Sequence, residues 1–190
     1  MKKSILALVP IIITVGILGI FVWSSFTIDN SSFACALTEN NPQGPYYIPG
    51  APYKEKLGAD IPGQRLVISG NVLNQDCTPV SDAIIDVWQT DSDGNYYFED
   101  FTLRGKVTAD KDGQYEIETI FPGKYSEAGN TRPAHIHLKI SAPGLSSHTT
   151  QLYFEGDADL DFFVKPSLIL KLDERDGIQY SDFDFVVFTP

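Results

Sequence analysis

Basic residues and histidines are scarce in this sequence of 190 residues. Lysine and arginine together number 14 against 25 aspartates and glutamates, the formal net charge is -11, and there are only 3 histidines. A protein that binds nucleic acid through its phosphates needs a basic surface, and so does one that binds an anionic cytosolic lipid surface. The composition therefore predicts no nucleic-acid partner and favours an acidic, soluble surface.

Helical periodicity, internal repeats and low-complexity segments are absent after residue 30. No stretch of this region keeps apolar residues at helical spacing for three turns, although the acidic segment Gly156–Phe163 leaves room for one short helix. No glycine-rich dinucleotide fingerprint occurs either, which argues against a nucleotide cofactor. These absences leave an all-β domain as the expected fold.

Short β-like runs alternate with turn sequences from Arg65 onward, the pattern typical of a β-sandwich or barrel. We predict a single all-β sandwich over residues 65–190. Its strand Ala83–Gln89 is expected to be an inner strand, because both faces of that run carry apolar residues. The predicted strands are Leu66–Val72, Ala83–Gln89, Gly105–Thr108, Tyr115–Thr119, His135–Ser141, Thr149–Phe154 and Asp184–Phe188.

The N-terminus differs from everything that follows it. Lys2 and Lys3 precede the uncharged, mostly apolar stretch Ile5–Phe26, which is typical of an export signal and could cross about 30 Å of hydrocarbon as one helix. We predict that residues 1–30 form a signal peptide or an N-terminal transmembrane anchor, with an uncleaved anchor favoured over cleavage near Ser32–Ala34. In either case the domain is expected to be extracytoplasmic, as a membrane-anchored or secreted protein.

Residues 31–64 are rich in proline, glycine and tyrosine. These residues interrupt regular structure, so we predict an ordered, extended arm that precedes the sandwich. Such a tyrosine-rich arm can also pack against a second copy of the chain. The sequence therefore leaves a homo-oligomer open and does not require one.

The two cysteines of the chain are Cys35 and Cys77. Exported proteins meet oxidising conditions, so an even pair favours a disulfide, which would attach the arm to the turn around Asp76–Pro79. The alternative is two unrelated buried thiols. Neither cysteine has neighbours at ligand spacing, and metal binding by cysteine is disfavoured.

Two of the three histidines form the pair His135-x-His137 in a predicted strand. Side chains alternate along a strand, so both imidazoles project from one face, about 7 Å apart along the strand. The intervening and flanking apolar residues, including Ala134 and Ile136, are expected to face the core. Such a pair is a platform for two metal ligands, and the alternative is two surface histidines.

Tyrosine is abundant, with 9 in the chain. Tyr96 and Tyr125 lie in turns, where a tyrosine is ordinarily a half-buried aromatic residue. Beside an H-x-H pair they raise a more specific interpretation, because a phenolate is a hard anionic oxygen donor that suits Fe(III), and imidazole also binds iron.

Several motifs between about Leu37 and Asp157 identify a family. They include Gly44-Pro45-Tyr46-Tyr47, Gly94-Asn95-Tyr96, Pro122-Gly123-Lys124-Tyr125, Arg132-Pro133-Ala134-His135-Ile136-His137 and Thr150-Gln151-Leu152-Tyr153. In these motifs and their order the sequence resembles the intradiol ring-cleavage dioxygenases, the family of the catechol and protocatechuate dioxygenases. The cysteine before the arm, with a second one in the later turn, resembles the exported branch of that family.

The resemblance implies a cofactor, a reaction and a role for each matching residue. The substrates would be a dihydroxybenzene and O₂, and the product a muconate-type diacid. Tyr125 would be an axial phenolate that leaves when substrate binds and then accepts its proton. Arg132 would stabilise negative charge on the ring as O₂ attacks, and Gln151 would line the same pocket. The implied Fe(III) ligands are Tyr96, Tyr125, His135 and His137.

Alternatives remain open at this point. The sequence Thr108–Tyr125 is also similar to transthyretin-like and adhesin sandwich modules, which bind without catalysing. The histidines could instead hold zinc or copper, although zinc prefers sulfur and nitrogen donors. Tyr97 competes with its neighbour Tyr96 as a ligand, Arg132 could serve only as a salt-bridge partner, and His148 is expected at the surface.

Overall fold

β-Strands make up nearly all the regular structure in the computed structural model, which describes residues 35–127, 129–157 and 161–189. The one helical element in these ranges is a 3₁₀ turn at Pro166–Leu168. The strands are β1 (Arg65–Asn74), β2 (Ile84–Gln89), β3 (Arg104–Thr108), β4 (Gln114–Ile120), β5 (Tyr125–Glu127), β6 (Asn130–Arg132), β7 (His135–Ser141), β8 (His148–Phe154), β9 (Ile169–Leu170), β10 (Asp173–Arg175), β11 (Ile178–Asp182) and β12 (Phe185–Val187).

The N-terminal predictions fall outside the described residues. These are the signal peptide or anchor at residues 1–30 and the cleavage site near Ser32–Ala34. Across the ranges that the structure describes, no helix has both the length and the apolar character needed to cross a bilayer.

Two five-stranded sheets carry the fold. The first has the order β3-β2-β7-β8-β9, and its neighbours are antiparallel except for the parallel pair β8 and β9. In the second, β1 pairs with β4 in antiparallel and with β11 and β12 in parallel fashion, and β10 extends the sheet beyond β11. Strands β5 and β6 form a separate two-stranded ribbon.

Apolar side chains from both sheets form one core. Leu66 and Ile68 of β1 meet Ile85 of β2 and Ile136 and Leu138 of β7 in this cluster, and all five are completely buried. Full burial of one such side chain contributes about 1.5–3 kcal/mol. The predicted all-β sandwich is confirmed, as is the inner position of β2 between β3 and β7.

Strand register places four side chains in one row across the first sheet. Trp88 of β2 lies opposite Arg104 of β3 on one side and His137 of β7 on the other. His137 in turn lies opposite Gln151 of β8. Directly paired residues point to the same face of a sheet, so this row and its neighbours His135 and Tyr153 define the face of the sheet opposite Ile136 and Leu138.

The arm covers this surface and is tied to both sheets. Backbone hydrogen bonds link Asn41 to Thr149 of β8 at 3.0 Å and Leu57 to Glu118 of β4 at 2.8 Å. Over residues 35–64 its only pairings with other strands are isolated bridges, such as Tyr53 with Lys106. A disulfide joins Cys35 to Cys77, which confirms the predicted bridge and excludes two unrelated thiols.

The seven predicted strands are all present, and their ends differ from the prediction by at most two residues. The short strands β9, β10 and β11 and the ribbon β5–β6 were not predicted. Strand β10 is fully exposed and β11 is mostly half-buried, so neither carries the apolar alternation that marks a strand. The predicted short helix within Gly156–Phe163 is wrong for the described parts of that segment, which are turn and loop.

Candidate active site

The two histidines of β7 converge on one point under the arm. Their Nε2 atoms lie 3.1 Å apart, and His135 and His137 are 2 % and 1 % exposed. The alternative of two surface histidines is therefore wrong. Nδ1 of His135 lies 2.6 Å from the carbonyl oxygen of Pro133, which can only accept a hydrogen bond. Nδ1 therefore carries the proton in the neutral ring, and Nε2 presents a lone pair.

Burial keeps both imidazoles uncharged at neutral pH. It lowers the pKa of His135 to about 4, although the hydrogen bond to Pro133 acts in the opposite direction. Burial also lowers the pKa of His137 well below its usual value, and the positive charge of a protonated His135 adds to this effect. Two neutral imidazoles with converging nitrogens are suited to bind a cation, because a metal requires an unprotonated nitrogen.

A close backbone contact brings the two tyrosine loops together. A Cβ atom on Gly94 would lie only 2.0 Å from the carbonyl oxygen of Lys124, and Gly94 has a φ of +85°. Only glycine fits both constraints. The amide of Gly123 also donates to the carbonyl of Asp91 at 2.6 Å, and the Asp91 carboxylate accepts from the Asn95 amide at 2.9 Å. The loops before Tyr96 and Tyr125 are thus fixed to each other.

The phenol rings of these loops join the histidines in one aromatic cluster. The ring centroids of Tyr96 and Tyr125 are 5.4 Å apart, and those of Tyr125 and His135 are 5.5 Å apart. The Tyr96 hydroxyl is buried and has no hydrogen bond of normal geometry within the described part of the chain, whereas the Tyr97 hydroxyl faces Asp91 at 3.3 Å. Tyr96, and not its neighbour Tyr97, therefore faces the cluster.

Burial raises the pKa of Tyr96, and the adjacent Tyr125 raises it further. Burial likewise raises the pKa of Tyr125, against the opposing positive charge of Arg132. Both side chains are therefore neutral phenols unless a cation replaces the proton. Cation binding at this point would release protons and be favoured at higher pH.

Residues of the arm and of β2 form the walls around the histidines. The ring of Trp88 lies flat against His137, with centroids 4.9 Å apart and planes 9° apart. Tyr46 stacks on Tyr96 at 4.3 Å. Gly44 has a φ of +72°, and a Cβ there would lie 3.4 Å from Cε1 of His137. The spacing of the arm motif could not reveal these contacts, since they depend on how the arm folds back.

Arg132 and Gln151 are hydrogen-bonded to each other beside the aromatic cluster. The Arg132 guanidinium donates to Gln151 Oε1 at 3.1 Å and through Nε to Asp161 Oδ2 at 2.5 Å. The Gln151 amide donates to the Pro42 carbonyl at 2.7 Å, and the Tyr153 hydroxyl donates to Gln151 Oε1 at 2.7 Å. The salt bridge considered for Arg132 does exist, and the same side chain also reaches Gln151. Sequence reasoning missed the roles of Asp161 and Tyr153.

His148, the third histidine, does not join the cluster. It lies at the start of β8, opposite Ile140, and is half-buried, so it is more enclosed than the expected surface position. Burial lowers its pKa, and its Nε2 atom has no hydrogen-bond partner among the described residues.

The spacing of the two histidine nitrogens fits a bound cation. Two nitrogens bound at a right angle with bonds of about 2.1 Å would be about 3.0 Å apart, close to the 3.1 Å between the two Nε2 atoms. Among the residues that the structure describes, no three His, Cys, Asp or Glu side chains form a group that could hold a metal. An ion at the histidine pair would therefore need other donors, and the buried hydroxyl of Tyr96 forms no hydrogen bond of normal geometry with any described residue.

A cleft of about 540 Å³ opens beside the two tyrosines. Its aromatic lining comprises Tyr46, Tyr96, Phe98 and Tyr125, and its polar lining includes Asp93 and Lys124. Phe98, at 60 % exposure, is one of the few large apolar residues on the surface. The volume falls within the range of pockets that hold small organic molecules.

Comparison with known proteins assigns the family. The family model described as Dioxygenase matches residues 43–188. Chlorocatechol 1,2-dioxygenase of Rhodococcus opacus is 36 % identical over 197 residues, covering 85 % of this chain and 77 % of that protein. The chain belongs to the intradiol ring-cleavage dioxygenase family.

Further relatives extend the range within this family. The 6-chlorohydroxyquinol 1,2-dioxygenase of Cupriavidus pinatubonensis is 30 % identical, and the alignment covers 88 % of this chain and 73 % of that protein. The dioxygenase domain of a dioxygenase–carbohydrate-binding fusion protein from Streptomyces sp. SirexAA-E superposes with a TM-score of 0.76 at 33 % identity, covering 82 % of this chain and all of that domain. Membership of an intradiol dioxygenase family disfavours the alternative of a non-catalytic transthyretin-like or adhesin module.

Proposed function

We propose that the protein is an Fe(III)-dependent intradiol dioxygenase that opens a catechol-type ring between its two hydroxyl-bearing carbons. The observation that carries this proposal is the cluster of two neutral histidines and two phenols. The Nε2 atoms of the histidines are 3.1 Å apart, the Tyr125 ring contacts His135, and the Tyr96 ring contacts Tyr125. The proposed ligands are Tyr96, Tyr125, His135 and His137. Hard Fe(III) favours phenolate oxygen, whereas zinc prefers sulfur and nitrogen.

Ferric iron bound at this site would chelate both oxygens of the substrate and make the aromatic ring reactive toward O₂. The overall reaction needs no external reductant: one carbon–carbon bond breaks, and both atoms of O₂ enter the diacid product. No nucleotide cofactor is required for this balance.

Tyr125 is the proposed proton acceptor for a substrate hydroxyl. It lies at the edge of the cluster and lines the cleft, so it can exchange a proton with a molecule bound there. Arg132 lies across the ribbon from Tyr125, in direct register. Its guanidinium carries a permanent charge, which would stabilise Tyr125 as a phenolate and negative charge developing on the substrate.

Gln151 and Trp88 are proposed to shape the site. Gln151 is 1 % exposed and holds the Arg132 guanidinium through Oε1. Trp88, also 1 % exposed, lies flat on His137 and shields it from water. Rigid side chains that exclude water lower the local dielectric constant, so the fixed charge of Arg132 interacts more strongly with nearby negative charge.

Ring-opening assays with metal analysis test this function. The purified full-length chain, loaded with iron, is expected to be red from tyrosinate-to-iron charge transfer. It should convert at least one of catechol, a chlorocatechol, hydroxyquinol or protocatechuate to a product that carries both labelled atoms of ¹⁸O₂. A colourless, folded protein that retains only zinc would overturn the proposal.

The variant His137→Ala is expected to lose iron and activity while the sandwich remains folded. His148→Ala is the matched control, since His148 is the one histidine outside the cluster, and it should keep both iron and activity. Stoichiometric iron in His137→Ala would show that the ligand assignment is wrong.

We further propose that the domain works outside the cytoplasm, membrane-anchored or secreted. The bridge between Cys35 and Cys77 supports this, because disulfides persist in oxidising compartments and are rare in the cytosol. Fractionation of cells that produce the chain, with thiol alkylation before lysis, tests the proposal. Free thiols in a cytoplasmic fraction would contradict it.

A further inference from the structure

Arg104 is a buried cation that forms no ion pair within the described ranges. It begins β3 and is 2 % exposed, which places it among the largest fully buried side chains of these residues. Its Nη2 atom has no hydrogen-bond partner there. A buried charge without a directly paired counterion is costly, and the carboxylates of Asp86 and Asp100 act on Arg104 only at longer range.

The side-chain hydrogen bonds and the ring contact of Arg104 lead to the tyrosine cluster. Its Nη1 atom donates to the carbonyl of Tyr46 at 2.5 Å, and its Nε atom donates to the carbonyl of Tyr97 at 3.1 Å. Its guanidinium carbon lies 5.7 Å from the centre of the Tyr96 ring. Arg104 thus holds the backbone on the C-terminal side of Tyr96 and the arm residue that stacks on the Tyr96 ring.

Strand register places Arg104 on the same surface as the histidines. It lies opposite Trp88, and Trp88 lies opposite His137. Side chains in direct register share a face of the sheet, so the guanidinium borders the proposed site and not the core. Its net charge therefore acts on the aromatic cluster through a region with little water, where charges interact strongly.

We propose that Arg104 is a positioning residue for Tyr96 and the fixed countercharge of the Tyr96 phenolate in the metal-bound site. This inference rests on the proposed iron site. Tyr96 is a neutral phenol without a metal, and as a ligand it gains negative charge. A guanidinium attracts a phenolate ring more strongly than a phenol ring, so the cost of burying Arg104 is offset in the metal-bound protein.

A purely structural role would consist of the two backbone hydrogen bonds alone. The two roles differ in their effect on the absorption of a tyrosinate–iron site. A positive charge near the phenolate lowers the energy of its donor electrons, so removal of that charge shifts charge transfer to longer wavelength. Loss of the backbone hydrogen bonds alone would lower the stability of the fold without shifting the charge-transfer band to longer wavelength.

The experiment compares Arg104→Met with Arg104→Lys in the full chain loaded with ferric iron. Met removes the charge and keeps much of the volume, and we expect the Tyr96 band to move to longer wavelength and ferric affinity to fall about 10- to 100-fold. Lys keeps the charge and loses the planar fork, so its band should stay close to the wild-type position. Arg65→Met, at a half-buried arginine of β1 that pairs with Glu118, is the matched control and should leave the band unmoved.

A second comparison, made in the variant Tyr96→Phe, shows whether the shift of the charge-transfer band comes from Tyr96. In Tyr96→Phe, the remaining band belongs to Tyr125, and adding Arg104→Met should not shift it. An equal shift in both backgrounds would overturn the proposal, and so would an unmoved band in Arg104→Met. Should Arg104→Met fail to fold, Arg104→Gln, which keeps a donor for the Tyr46 carbonyl, serves as the neutral variant.

The outcomes also separate this inference from the function on which it depends. A wild-type protein that binds no ferric ion and has no charge-transfer band refutes the proposed function. A red wild-type protein whose band is insensitive to the charge at position 104 refutes only the role of Arg104.

Discussion

The hydroxyl of Tyr153 and the guanidinium of Arg132 donate to the same oxygen, Oε1 of Gln151, at 2.7 and 3.1 Å. The other end of the Gln151 amide donates to Pro42 in the arm. A glutamine in this environment can adopt only one amide orientation, because a flip would place its NH₂ group against two donors. Tyr153 therefore sets the orientation of Gln151, and Gln151 holds Arg132 in place.

Tyr153→Phe tests this chain of contacts. The variant removes one of the two donors, so we expect a loss of about 1 kcal/mol in the free energy of unfolding. Arg132 becomes less well positioned, and kcat should fall by up to about tenfold, equivalent to about 1.4 kcal/mol. Iron content should not change, since Tyr153 is not a proposed ligand. Denaturant unfolding, metal analysis and steady-state kinetics measure the three effects.

Tyr115→Phe is the control for this variant. The Tyr115 hydroxyl donates to the carbonyl of Phe183 at 2.7 Å in the other sheet. The variant Tyr115→Phe should lose a similar free energy of unfolding and keep the wild-type kcat. Equal kinetic losses in the two variants would show that Tyr153 acts only through stability.

Much of the fold could be predicted because the strands that build the core have a local signature. The alternation around His135-x-His137 indicated which side chains share a face, and β7 has that register. The role of Arg104 could not be found in this way. Its partner Tyr46 lies 58 residues away in an arm without regular structure, and nothing in the local sequence specifies where such an arm folds back.

The salt-bridge partner of Arg132 also could not be predicted from the local sequence. Its partner Asp161 is one of many acidic residues and lies 29 positions away, so the composition left a salt bridge open as an alternative without identifying the acid. The cluster of Tyr96 with the histidines required the family motifs, because a lone turn tyrosine is ordinarily a half-buried aromatic residue.

Gly94→Ala should disrupt both tyrosine loops. The new Cβ atom would lie 2.0 Å from the Lys124 carbonyl oxygen, so the backbone of one loop must move. We expect a loss of more than about 3 kcal/mol in the free energy of unfolding. The displaced tyrosines should also weaken the charge-transfer band of the iron-loaded protein. Denaturant unfolding and absorption spectra measure both effects.

Gly177→Ala separates backbone strain from this clash. Gly177 has a similar φ, +75°, but a Cβ there would have no neighbour within 4 Å. The variant Gly177→Ala should lose only roughly 1–2 kcal/mol in the free energy of unfolding, which is the cost of a left-handed conformation. Its absorption spectrum should be unchanged. If the two variants lost equal stability, the close contact of the two loops would not matter.

Loss of the disulfide should destabilise the domain without altering the site. The bridge spans a sequence separation of 42 residues, for which the chain-entropy argument gives about 4 kcal/mol. Cys35→Ser combined with Cys77→Ser should therefore lower the melting temperature and retain iron and activity in the cold. Dithiothreitol should destabilise the wild type and have no effect on the double variant. A melting temperature that is insensitive to reduction in the wild type would contradict this prediction.

Acid should destabilise the metal-free domain through its buried histidines. Burial lowers the pKa of His135 from 6.5 to about 4 and lowers that of His137 in the same direction. Between these two values the unfolded chain binds more protons than the folded one, so the contribution of His135 is fully present above about pH 6.5 and is lost as the pH falls toward 4. A shift of this size corresponds to about 3 kcal/mol.

The measurement is the free energy of unfolding of the metal-free protein, by denaturant, across the range from about pH 7 to 4. His135→Gln is the comparison, because glutamine occupies the site without titrating there. The stability advantage of the wild type over His135→Gln should shrink as the pH falls, since only the wild type must take up a proton at position 135 on unfolding. Acidic residues affect both proteins alike and cancel in the difference. If that difference stayed constant across the range, burial would not be what holds His135 neutral and keeps its lone pair available at neutral pH.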